Sequence, residues 1–387
     1  MISITKLLCD SHNYGDSLRY VKGASIEKFG VSSGRGPVVA WNCTKTCNLK
    51  CKHCYADSDS KKYEGELNID EAKAFIDDLK AFNVPVILFS GGEPLLRKNF
   101  FDILKYTSEK CIRSTISTNG TLLFKDVCKN LRKMNVGYVG VSLDGIGSEH
   151  DEFRGFKGSF DSALRGIRNC METGQKVGLR FTINKHNYNQ LQDIFYLIKE
   201  EKIPRVCFYH LVYSGRGSEM MKDDISKEET REALDLIMSK TVEFNSKVEI
   251  LTVDNHADGI YVYMKALEKY KERADKVLEL LKTNGGNRSG MAFANVDFYG
   301  NVHADQFTWQ YNFGNVKEKK FSQIWKNSSH PILNGLRNRK DLLKGRCSKC
   351  KWIKECNGNF RSRAESVTGD FWAEDPACYL TDKEISL

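Results

Sequence analysis

Short apolar runs alternate with amphipathic segments along the first 211 residues of this 387-residue chain, and few folds accommodate such a pattern. Six runs rich in β-branched residues predict buried strands, at 37–43, 84–90, 112–117, 136–144, 176–183 and 204–211. Between them apolar side chains recur at helical spacing, as in the sets Ala72, Phe75, Ile76 and Leu79, and Leu191, Ile194, Phe195 and Ile198. Regular alternation of strand and helix predicts an α/β fold with a parallel sheet, either open or closed into a barrel.

Other parts of the chain flank this core, which we place at 37–217. Residues 1–36 form an N-terminal extension without a clear pattern. Charged sequence with helical periodicity over 218–283 predicts a helical connector. The remainder, 284–387, opens on the linker-like "TNGGNRSG" and is rich in Gly, aromatic residues and Cys. It is too irregular to build a large core, so we expect a small second domain stabilised by metal.

Composition excludes several classes of protein. The chain has no run of eighteen apolar residues and no basic start followed by an apolar segment, so we expect neither a membrane span nor a signal peptide. Its net charge of +9, from 59 Lys and Arg against 50 Asp and Glu, is spread along the chain. This weakly favours a small anionic substrate over nucleic acid. A cytoplasmic protein with no membrane or nucleic-acid partner is the prediction.

Seven of the thirteen cysteines fall in two groups. The front cysteines are Cys47, Cys51 and Cys54, and the back cysteines are Cys347, Cys350, Cys356 and Cys378. In a reducing compartment such groups indicate metal ligands more than disulfides. The front group has the spacing C-x3-C-x2-C and follows the first predicted strand, where α/β enzymes place their chemistry. Thiolates at this density suit an iron–sulfur cluster or zinc.

Three protein ligands on a four-iron cluster leave one iron open to a small molecule. Cys43 competes as a fourth ligand that would close the cluster. It lies at the same strand parity as Val39 and Trp41, which favours packing in the strand over ligation. Zinc remains an alternative, although zinc sites usually draw on a histidine or a second cysteine pair nearby.

The front cysteines, with His53 before the third of them, closely resemble the signature of the radical S-adenosylmethionine (SAM) superfamily. The run "FSGGEPLL" resembles the superfamily motif that holds the amino group of the bound methionine moiety, here at Gly91, Gly92, Glu93 and Pro94. Glycines let a backbone approach a ligand closely, and a glutamate supplies a charged acceptor for an ammonium group. The resemblance implies a partial (β/α)6 TIM-like barrel with SAM and a 4Fe–4S cluster as cofactors.

Further SAM contacts are implied by the same resemblance. Small polar residues follow the third and fourth predicted strands, and the family pattern gives them ribose and carboxylate contacts: Ser117, Asn119, Ser142 and Asp144. Arg180, in the fifth strand, is implied to face the carboxylate of SAM, with a buried Arg–Asp pair as the alternative. The implied chemistry is radical abstraction of a substrate hydrogen, which needs an electron donor such as ferredoxin or flavodoxin and anaerobic conditions.

The back cysteines, C-x2-C-x5-C followed by Cys378, resemble the auxiliary-cluster tail called SPASM. Such tails carry a further cysteine where this chain has Phe360, and a cysteine pair around a glycine turn that here reads "ANVDFYGNVHADQF". The resemblance therefore implies one fully ligated auxiliary 4Fe–4S cluster, and thus a small cysteine-rich C-terminal iron–sulfur domain. A four-cysteine zinc ribbon is the alternative.

Longer segments resemble the tetrapyrrole-modifying branch of the superfamily from about residue 37 to the end, among them "GVSLDGIGSEHDEFRG" and "RVCFYHLVYSGRG". This implies an iron tetrapyrrole polycarboxylate as substrate. We expect removal of acetate side chains from 12,18-didecarboxysiroheme to give Fe-coproporphyrin III, with removal of propionates for the haem of nitrite reductase as the alternative. Two other hypotheses are a radical SAM peptide maturase and a non-catalytic iron–sulfur electron carrier.

Candidate substrate contacts come from the same segments. Arginines present a fork that matches carboxylates, and the candidates are Arg154, Arg216, Arg361 and Arg363. Candidate catalytic residues, as iron ligands or proton donors, are Tyr209, His210, His256 and His303. For each of these side chains a purely structural role is the alternative.

Overall fold

The structure is a computed structural model, and it describes residues 1–22 and 27–386 of the chain. Contacts between residues divide the chain into two compact units. The front unit, Glu27–Arg180 with Ser289–Arg337, contains the front cysteines, and the back unit, Met1–Ile26 with Phe181–Arg288 and Asn338–Leu387, contains the back cysteines. Each unit combines segments that are separate in the sequence. The division therefore does not test the predicted boundaries at 36, 217 and 283, which stay a prediction.

All six predicted strands are present, within two residues of their expected ends. The strands are β1 (Ile2–Ser3), β2 (Val38–Thr44), β3 (Val86–Gly91), β4 (Arg113–Thr118), β5 (Tyr138–Ser142), β6 (Val177–Ile183), β7 (Arg205–His210), β8 (Glu249–Val253), β9 (Phe293–Val296) and β10 (Val302–His303). Local sequence does not predict β8, because five apolar and polar residues inside a long charged segment give no periodicity to detect.

Helices connect the strands. The α-helices are α1 (Ile4–Cys9), α2 (Asp16–Arg19), α3 (Ile69–Ala81), α4 (Phe100–Glu109), α5 (Lys125–Lys133), α6 (Ser148–Arg154), α7 (Ser159–Glu172), α8 (Leu191–Glu200), α9 (Lys227–Phe244), α10 (Ala257–Lys269), α11 (Lys271–Asn284), α12 (Phe321–Asn327), α13 (Pro331–Arg337), α14 (Gly345–Ser348), α15 (Ile353–Cys356), α16 (Arg361–Thr368) and α17 (Asp382–Ile385). Short 3-10 helices span Pro94–Leu96, Tyr188–Gln190, Gly215–Asp223 and Arg339–Asp341.

The front unit is built on a parallel sheet, as predicted. β2 pairs in parallel with both β3 and β9, and β3, β4, β5 and β6 follow in order, each parallel to the one before. At the edge of this sheet, β10 runs antiparallel to β9. Because the carboxyl ends of parallel strands lie at one edge of the sheet, the loops after β2 to β5 emerge together. These loops carry Cys47, Gly92, Asn119 and Asp144.

Helix α3 shows how the sequence produces these crossovers. It begins after Asn68, whose side chain accepts hydrogen bonds from the N–H groups of Asp70 and Glu71, while the Glu71 carboxylate accepts from the N–H of Asn68. Its predicted apolar face is buried, and Phe75 packs edge-on against Trp41 of β2 with ring centroids 5.3 Å apart. Burying such a side chain stabilises the fold by about 1.5–3 kcal/mol.

The back unit pairs β7 in parallel with β8 and adds β1 antiparallel to β8. Residues of the N-terminal extension are therefore part of the folded unit, which the sequence did not indicate. The predicted apolar face of α8 is buried, and its Phe195 packs against Phe208 of β7 with ring centroids 5.2 Å apart. Across residues 1–22 and 27–386, no helix combines the length and apolarity that crossing a bilayer would need.

Candidate functional site

The front cysteines lie together in the loop that follows β2. Cys47 and Cys51 are buried beside Leu49, and Cys54 packs against them. Burial raises the pKa of Cys47 to about 12 and also raises the pKa of Cys51. Yet N–H groups point at the sulfurs, from Leu49 to Cys47 Sγ and from Ser58 to Cys54 Sγ, both at 3.4 Å. N–H groups near a sulfur stabilise a negatively charged thiolate. Three such thiolates are suitable ligands for the cationic iron core of a cluster.

The two glycines after β3 are required by the cysteine loop itself. A Cβ on Gly91, which has a φ of +132°, would overlap the carbonyl oxygen of Thr44, and one on Gly92 would overlap that of Thr46. The N–H of Gly92 donates to Thr44 O at 2.7 Å, and that of Glu93 donates to Thr46 O at 2.9 Å. The turn thus fixes the backbone leading into Cys47. The sequence predicts that these glycines admit a ligand, and the structure adds this second reason for them.

Glu93 is fully buried, and its carboxylate ties β3 to the end of β4. It accepts hydrogen bonds from Thr118 Oγ1 at 2.9 Å, from the N–H of Asn119 at 2.8 Å and from the N–H of Leu95 at 3.1 Å. Burial raises the pKa of Glu93 to about 7 against these hydrogen bonds. Two carboxylate oxygens have about four acceptor sites, so room for a further donor is small.

Asn119 links this carboxylate to the front cysteines. Its Nδ2 donates to Asn48 Oδ1 at 2.8 Å and lies 3.9 Å from Cys47 Sγ. One strand position earlier than Thr118, the Ser117 hydroxyl is shielded from solvent and has no hydrogen-bond partner among the described residues. A buried hydroxyl left unpaired beside such a loop is a ready contact for a ligand.

Ser142 and Arg180 lie side by side on the adjacent strands. They are register partners in β5 and β6, as Ser117 and Gly140 are in β4 and β5. A Cβ on Gly140 would come within 2.8 Å of the Arg180 side chain, so this glycine leaves room for the arginine to cross the sheet face. The predicted SAM contacts on β4, β5 and β6 are thus neighbours on one sheet.

Asp144 is held by an ion pair that the sequence did not predict. Its carboxylate is buried against the guanidinium of Arg154, whose Nη1 also donates to Cys51 Sγ at 3.4 Å. Burial lowers the pKa of Arg154, but Asp144 and Cys51 outweigh it and raise the pKa overall. His53 Nε2 lies 3.7 Å from the same carboxylate. Arg154, expected to bind a substrate carboxylate, is therefore a neighbour of the front cysteines.

The back cysteines line one shared cavity of the back unit. Burial raises the pKa of each thiol, to about 11 for Cys378, and for Cys356 the three neighbouring thiols add to the effect. Four thiolates in one buried cavity would repel one another, and the cationic iron core of a cluster would offset that repulsion. Within residues 1–22 and 27–386, no three His, Cys, Asp or Glu side chains are arranged to hold a single metal ion.

His210 belongs to a buried chain of hydrogen bonds that leads toward the back cysteines. Its Nε2 lies 2.9 Å from Asp258 Oδ2, and Asp258 Oδ1 accepts from the Tyr379 hydroxyl at 2.9 Å. Tyr379 directly follows Cys378. Burial opposes the charged imidazole, but Asp258 outweighs it and raises the pKa of His210 above its usual 6.5. Arg363 acts against this rise, and Asp224 supports it.

This shift predicts a pH dependence of stability. A histidine whose pKa is higher in the folded state stabilises the fold fully below pH 6.5, and the contribution is lost as the pH rises through the folded pKa. We expect the free energy of unfolding of the wild type to fall above pH 6.5 more steeply than that of His210→Gln, in anaerobic denaturant titrations. The exposed His186→Gln is the control and should follow the wild type. Equal slopes in wild type and His210→Gln would contradict the assignment.

The other candidate catalytic residues are also engaged within the protein. His303 Nδ1 lies 2.8 Å from Tyr311 O and its Nε2 lies 3.4 Å from Asp297 Oδ2. His256 Nε2 lies 3.3 Å from the amino group of Met1, and burial lowers its pKa. Tyr209 packs beside the buried side chains at the ends of β7 and β8. Iron ligation by these residues stays a prediction.

Arg361 and Arg363, predicted as carboxylate-binding forks for the substrate, are both buried inside the back unit. Arg363 is fully buried and pairs with Asp375 at 2.9 Å while donating to the carbonyls of Leu211 and Asp254. Arg361 donates to the carbonyls of Gly358 and Ala373. Both arginines therefore hold loops of the back unit together. Arg216, in the 3-10 helix Gly215–Asp223, is half-buried and stays a candidate.

Sequence profiles of two protein families match the chain. The radical SAM superfamily matches residues 41–198, and the SPASM iron–sulfur cluster-binding domain matches residues 289–351. The chain is 53% identical to an Fe-coproporphyrin III synthase of Methanosarcina barkeri over 100% of this chain and 99% of that relative. It is 41% identical to a pre-heme d1 synthase of Dinoroseobacter shibae over 90% of this chain and 87% of that relative. The chain belongs to the tetrapyrrole-modifying radical SAM enzymes.

The fold agrees with this membership. A crystal structure of SuiB from Streptococcus suis bound to S-adenosylmethionine superposes with a TM-score of 0.72 at 18% identity, over 93% of this chain and 80% of that chain. The radical SAM fold and the SPASM-type tail are thus confirmed. As a radical SAM enzyme with a SPASM domain, the protein uses S-adenosylmethionine and two 4Fe–4S clusters.

Several site residues of this radical SAM enzyme escaped the sequence analysis. Arg154 was assigned to the substrate, although its place four residues after His150 on α6 puts both on one helix face near Asp144. Tyr55 was not singled out, although it directly follows Cys54. Asp258 and Tyr379 carry no local signal, because their partner His210 is distant in sequence.

Proposed function

We propose that this enzyme removes acetate side chains from 12,18-didecarboxysiroheme and releases Fe-coproporphyrin III. The observation that carries the proposal is full-length similarity to an Fe-coproporphyrin III synthase, which is greater than the similarity to a pre-heme d1 synthase. Removal of propionates, as the resemblance to nitrite-reductase haem enzymes suggested, is the competing activity and becomes an outcome of the test.

In this proposal the front cysteines hold the cluster that acts on SAM. Cys47, Cys51 and Cys54 supply the three thiolates, and the N–H donors around their sulfurs stabilise the negative charge. The chemistry supplied there is reductive cleavage of SAM to a 5′-deoxyadenosyl radical that takes a hydrogen atom from the substrate. Buried surroundings keep water away from this step.

SAM itself is proposed to lie along the carboxyl ends of β3 to β6. The turn Gly91–Pro94 takes the amino group of its methionine part, and residues on the following strands take its ribose and carboxylate: Ser117, Asn119, Ser142, Asp144 and Arg180. Support comes from their adjacency on one sheet and from the unpaired Ser117 hydroxyl. Asp144 is already paired with Arg154. Its carboxylate therefore positions that arginine in addition to contacting SAM.

The back cysteines are proposed to hold the auxiliary cluster, with Cys347, Cys350, Cys356 and Cys378 as its four ligands. Their shared cavity supports this assignment. We propose that the auxiliary cluster accepts an electron when the macrocycle is oxidised, and that a ferredoxin or flavodoxin reduces the enzyme. Full turnover by Cys356→Ala protein would contradict the role of this cluster.

The decisive experiment is an anaerobic reaction of the reconstituted enzyme with dithionite, SAM and 12,18-didecarboxysiroheme. We expect the substrate mass to fall by two acetate side chains while a porphyrin absorption spectrum develops. Formation of 5′-deoxyadenosine without that mass change would retain the radical enzyme and overturn the proposed substrate. Loss of propionate mass from the same precursor would establish the competing activity instead.

A further inference from the structure

Four elements of the front unit converge on the hydroxyl of Tyr55, the residue after Cys54. The hydroxyl lies 2.9 Å from Ser90 Oγ near the end of β3, and it donates toward Asn42 Oδ1 in β2 at 3.4 Å. Gln306 Nε2, from the loop after β10, donates to the same hydroxyl at 2.8 Å. We call these four residues the Tyr55 cluster. None of them is a proposed SAM contact.

The Tyr55 cluster contains a buried donor that no group among the described residues satisfies. Asn42 is fully buried, and its Oδ1 also accepts from Asn295 Nδ2 at 3.2 Å. Asn42 Nδ2 and Asn295 Oδ1 have no hydrogen-bond partner among the described residues. Asn295 Nδ2 also donates to Ala40 O at 3.0 Å, which fixes the Asn295 amide, so exchanging O and N of the Asn42 amide would set its nitrogen against Asn295 Nδ2, donor to donor. A buried donor left open in this way is costly unless a ligand pairs with it.

A positive charge lies close to the same cluster. The Arg180 guanidinium acts electrostatically on the Tyr55 hydroxyl. The open amide N–H of Asn42 is thus a neutral donor near a guanidinium, and the Tyr55 hydroxyl, held to Asn42 Oδ1 only by a long 3.4 Å hydrogen bond, is able to turn toward a ligand. Donors next to a cation match a carboxylate.

Aromatic rings border the cluster on the side of Gln306. Phe307 packs edge-on against Tyr55 with ring centroids 5.5 Å apart, and the Trp309 ring lies 6.4 Å from that of Tyr55. Phe307 and Trp309 are half-buried, so part of each ring is exposed. Flat aromatic surfaces beside carboxylate-binding donors match a planar macrocycle that carries acidic side chains.

We propose that the Tyr55 cluster is the subsite that binds one carboxylate side chain of the tetrapyrrole, with Phe307 and Trp309 against the macrocycle. This inference rests on the proposed function and adds which residues select the substrate. Asn42 and Tyr55 contact the carboxylate, and Gln306 positions the Tyr55 hydroxyl. Because Tyr55 adjoins Cys54, the contact also fixes the substrate near the cluster that acts on SAM.

The test is binding of Fe-coproporphyrin III to the anaerobically reconstituted holoenzyme in the presence of SAM. The shift of the porphyrin absorption band measures the binding. Tyr55→Phe removes one hydroxyl and keeps the ring, and we expect the Kd to rise about tenfold or more, as for a lost hydrogen bond to a charged group. Gln306→Leu, on a separate segment, should raise the Kd in the same direction. Iron content is measured in both variants, so that loss of a cluster is distinguished from loss of the contact.

Tyr106→Phe is the matched control, since it loses a hydroxyl that bonds to the surface residue Asp77 on α3, and its Kd should equal that of the wild type. If the wild type binds Fe-coproporphyrin III and both Tyr55→Phe and Gln306→Leu bind it equally well, the subsite is overturned while the proposed function stands. If the wild type binds no tetrapyrrole, the proposed function fails and the subsite with it. If Tyr55→Phe loses iron, Gln306→Leu alone decides.

Discussion

Replacement of Cys51 by alanine is expected to abolish reductive cleavage of SAM. Cys51 lies between Cys47 and Cys54 in the buried loop after β2, and its sulfur accepts from the Arg154 guanidinium. Two remaining thiolates cannot complete a three-cysteine site, so the cluster should be lost on reconstitution. The removed side chain also leaves the Arg154–Asp144 pair beside an empty space. Iron content, the electron paramagnetic resonance signal of the reduced cluster and 5′-deoxyadenosine formation report the result.

Cys43→Ala is the matched control for this experiment. Cys43 lies in β2, fully buried, and burial raises the pKa of its thiol to about 12. It is not part of the buried group formed by the front cysteines. We therefore expect this variant to keep both clusters and SAM cleavage, and to lose only about 1–2 kcal/mol of unfolding free energy through the small cavity. Loss of iron from the front cysteines in Cys43→Ala would instead show that Cys43 is a ligand of that cluster.

Arg363→Met is expected to lower the free energy of unfolding by about 3–5 kcal/mol, the usual cost of leaving one buried charge without its partner. Arg363 and Asp375 are both fully buried, and Arg363 Nη2 lies 2.9 Å from Asp375 Oδ2. Arg363 also donates to Leu211 O and Asp254 O, at the ends of β7 and β8. Without it, Asp375 would keep the hydrogen bonds from the N–H groups of Phe360 and Ala377 but lose its buried charge partner, and two carbonyls would lose a donor.

The same variant should also release iron from the back cysteines. Asp375 O accepts from the N–H of Cys378 at 3.0 Å, so a displaced Asp375 displaces a proposed ligand. Anaerobic unfolding in denaturant and iron analysis after gel filtration measure the two effects. Adding Asp375→Asn to Arg363→Met should restore part of the stability, because it removes the uncompensated charge.

Arg231→Met is the control for the effect of a lost ion pair. Arg231 pairs with Glu384 in the same unit, but about a quarter of each side chain is exposed, at 26% and 25%. Such pairs contribute about 0–1 kcal/mol, because water competes for both charges. If Arg363→Met unfolded at the same denaturant concentration as Arg231→Met, burial would not be the cause that we assign to it.

Periodicity and motif spacing were sufficient for the scaffold. The six strands from β2 to β7 and the buried faces of α3 and α8 follow from local apolar patterns, which the chain carries regardless of tertiary contacts. The failures are instructive in the same terms. Strand β8 was missed because its five residues obtain their strand conformation from pairing with β7, a contact between distant segments.

Arginine roles could not be predicted from the sequence. The sequence offers the same prediction, a carboxylate-binding fork, for Arg154, Arg361 and Arg363. In the structure Arg154 pairs with Asp144 beside Cys51, Arg361 donates to backbone carbonyls, and Arg363 pairs with Asp375. A guanidinium binds any of these partners, and which one it meets depends on the packing of distant elements.

The sequence by itself determined the cysteine spacing, the parallel α/β scaffold and the position of the glycine turn, because each depends on a few adjacent residues and on their local conformation. Tertiary structure alone decided what those groups touch. It set Gly91 and Gly92 against the backbone before Cys47, joined His210 to Asp258 and Tyr379, and brought Gln306 onto Tyr55. Hydrogen bonds and charges act over a few ångströms in space, and sequence distance carries no record of that proximity.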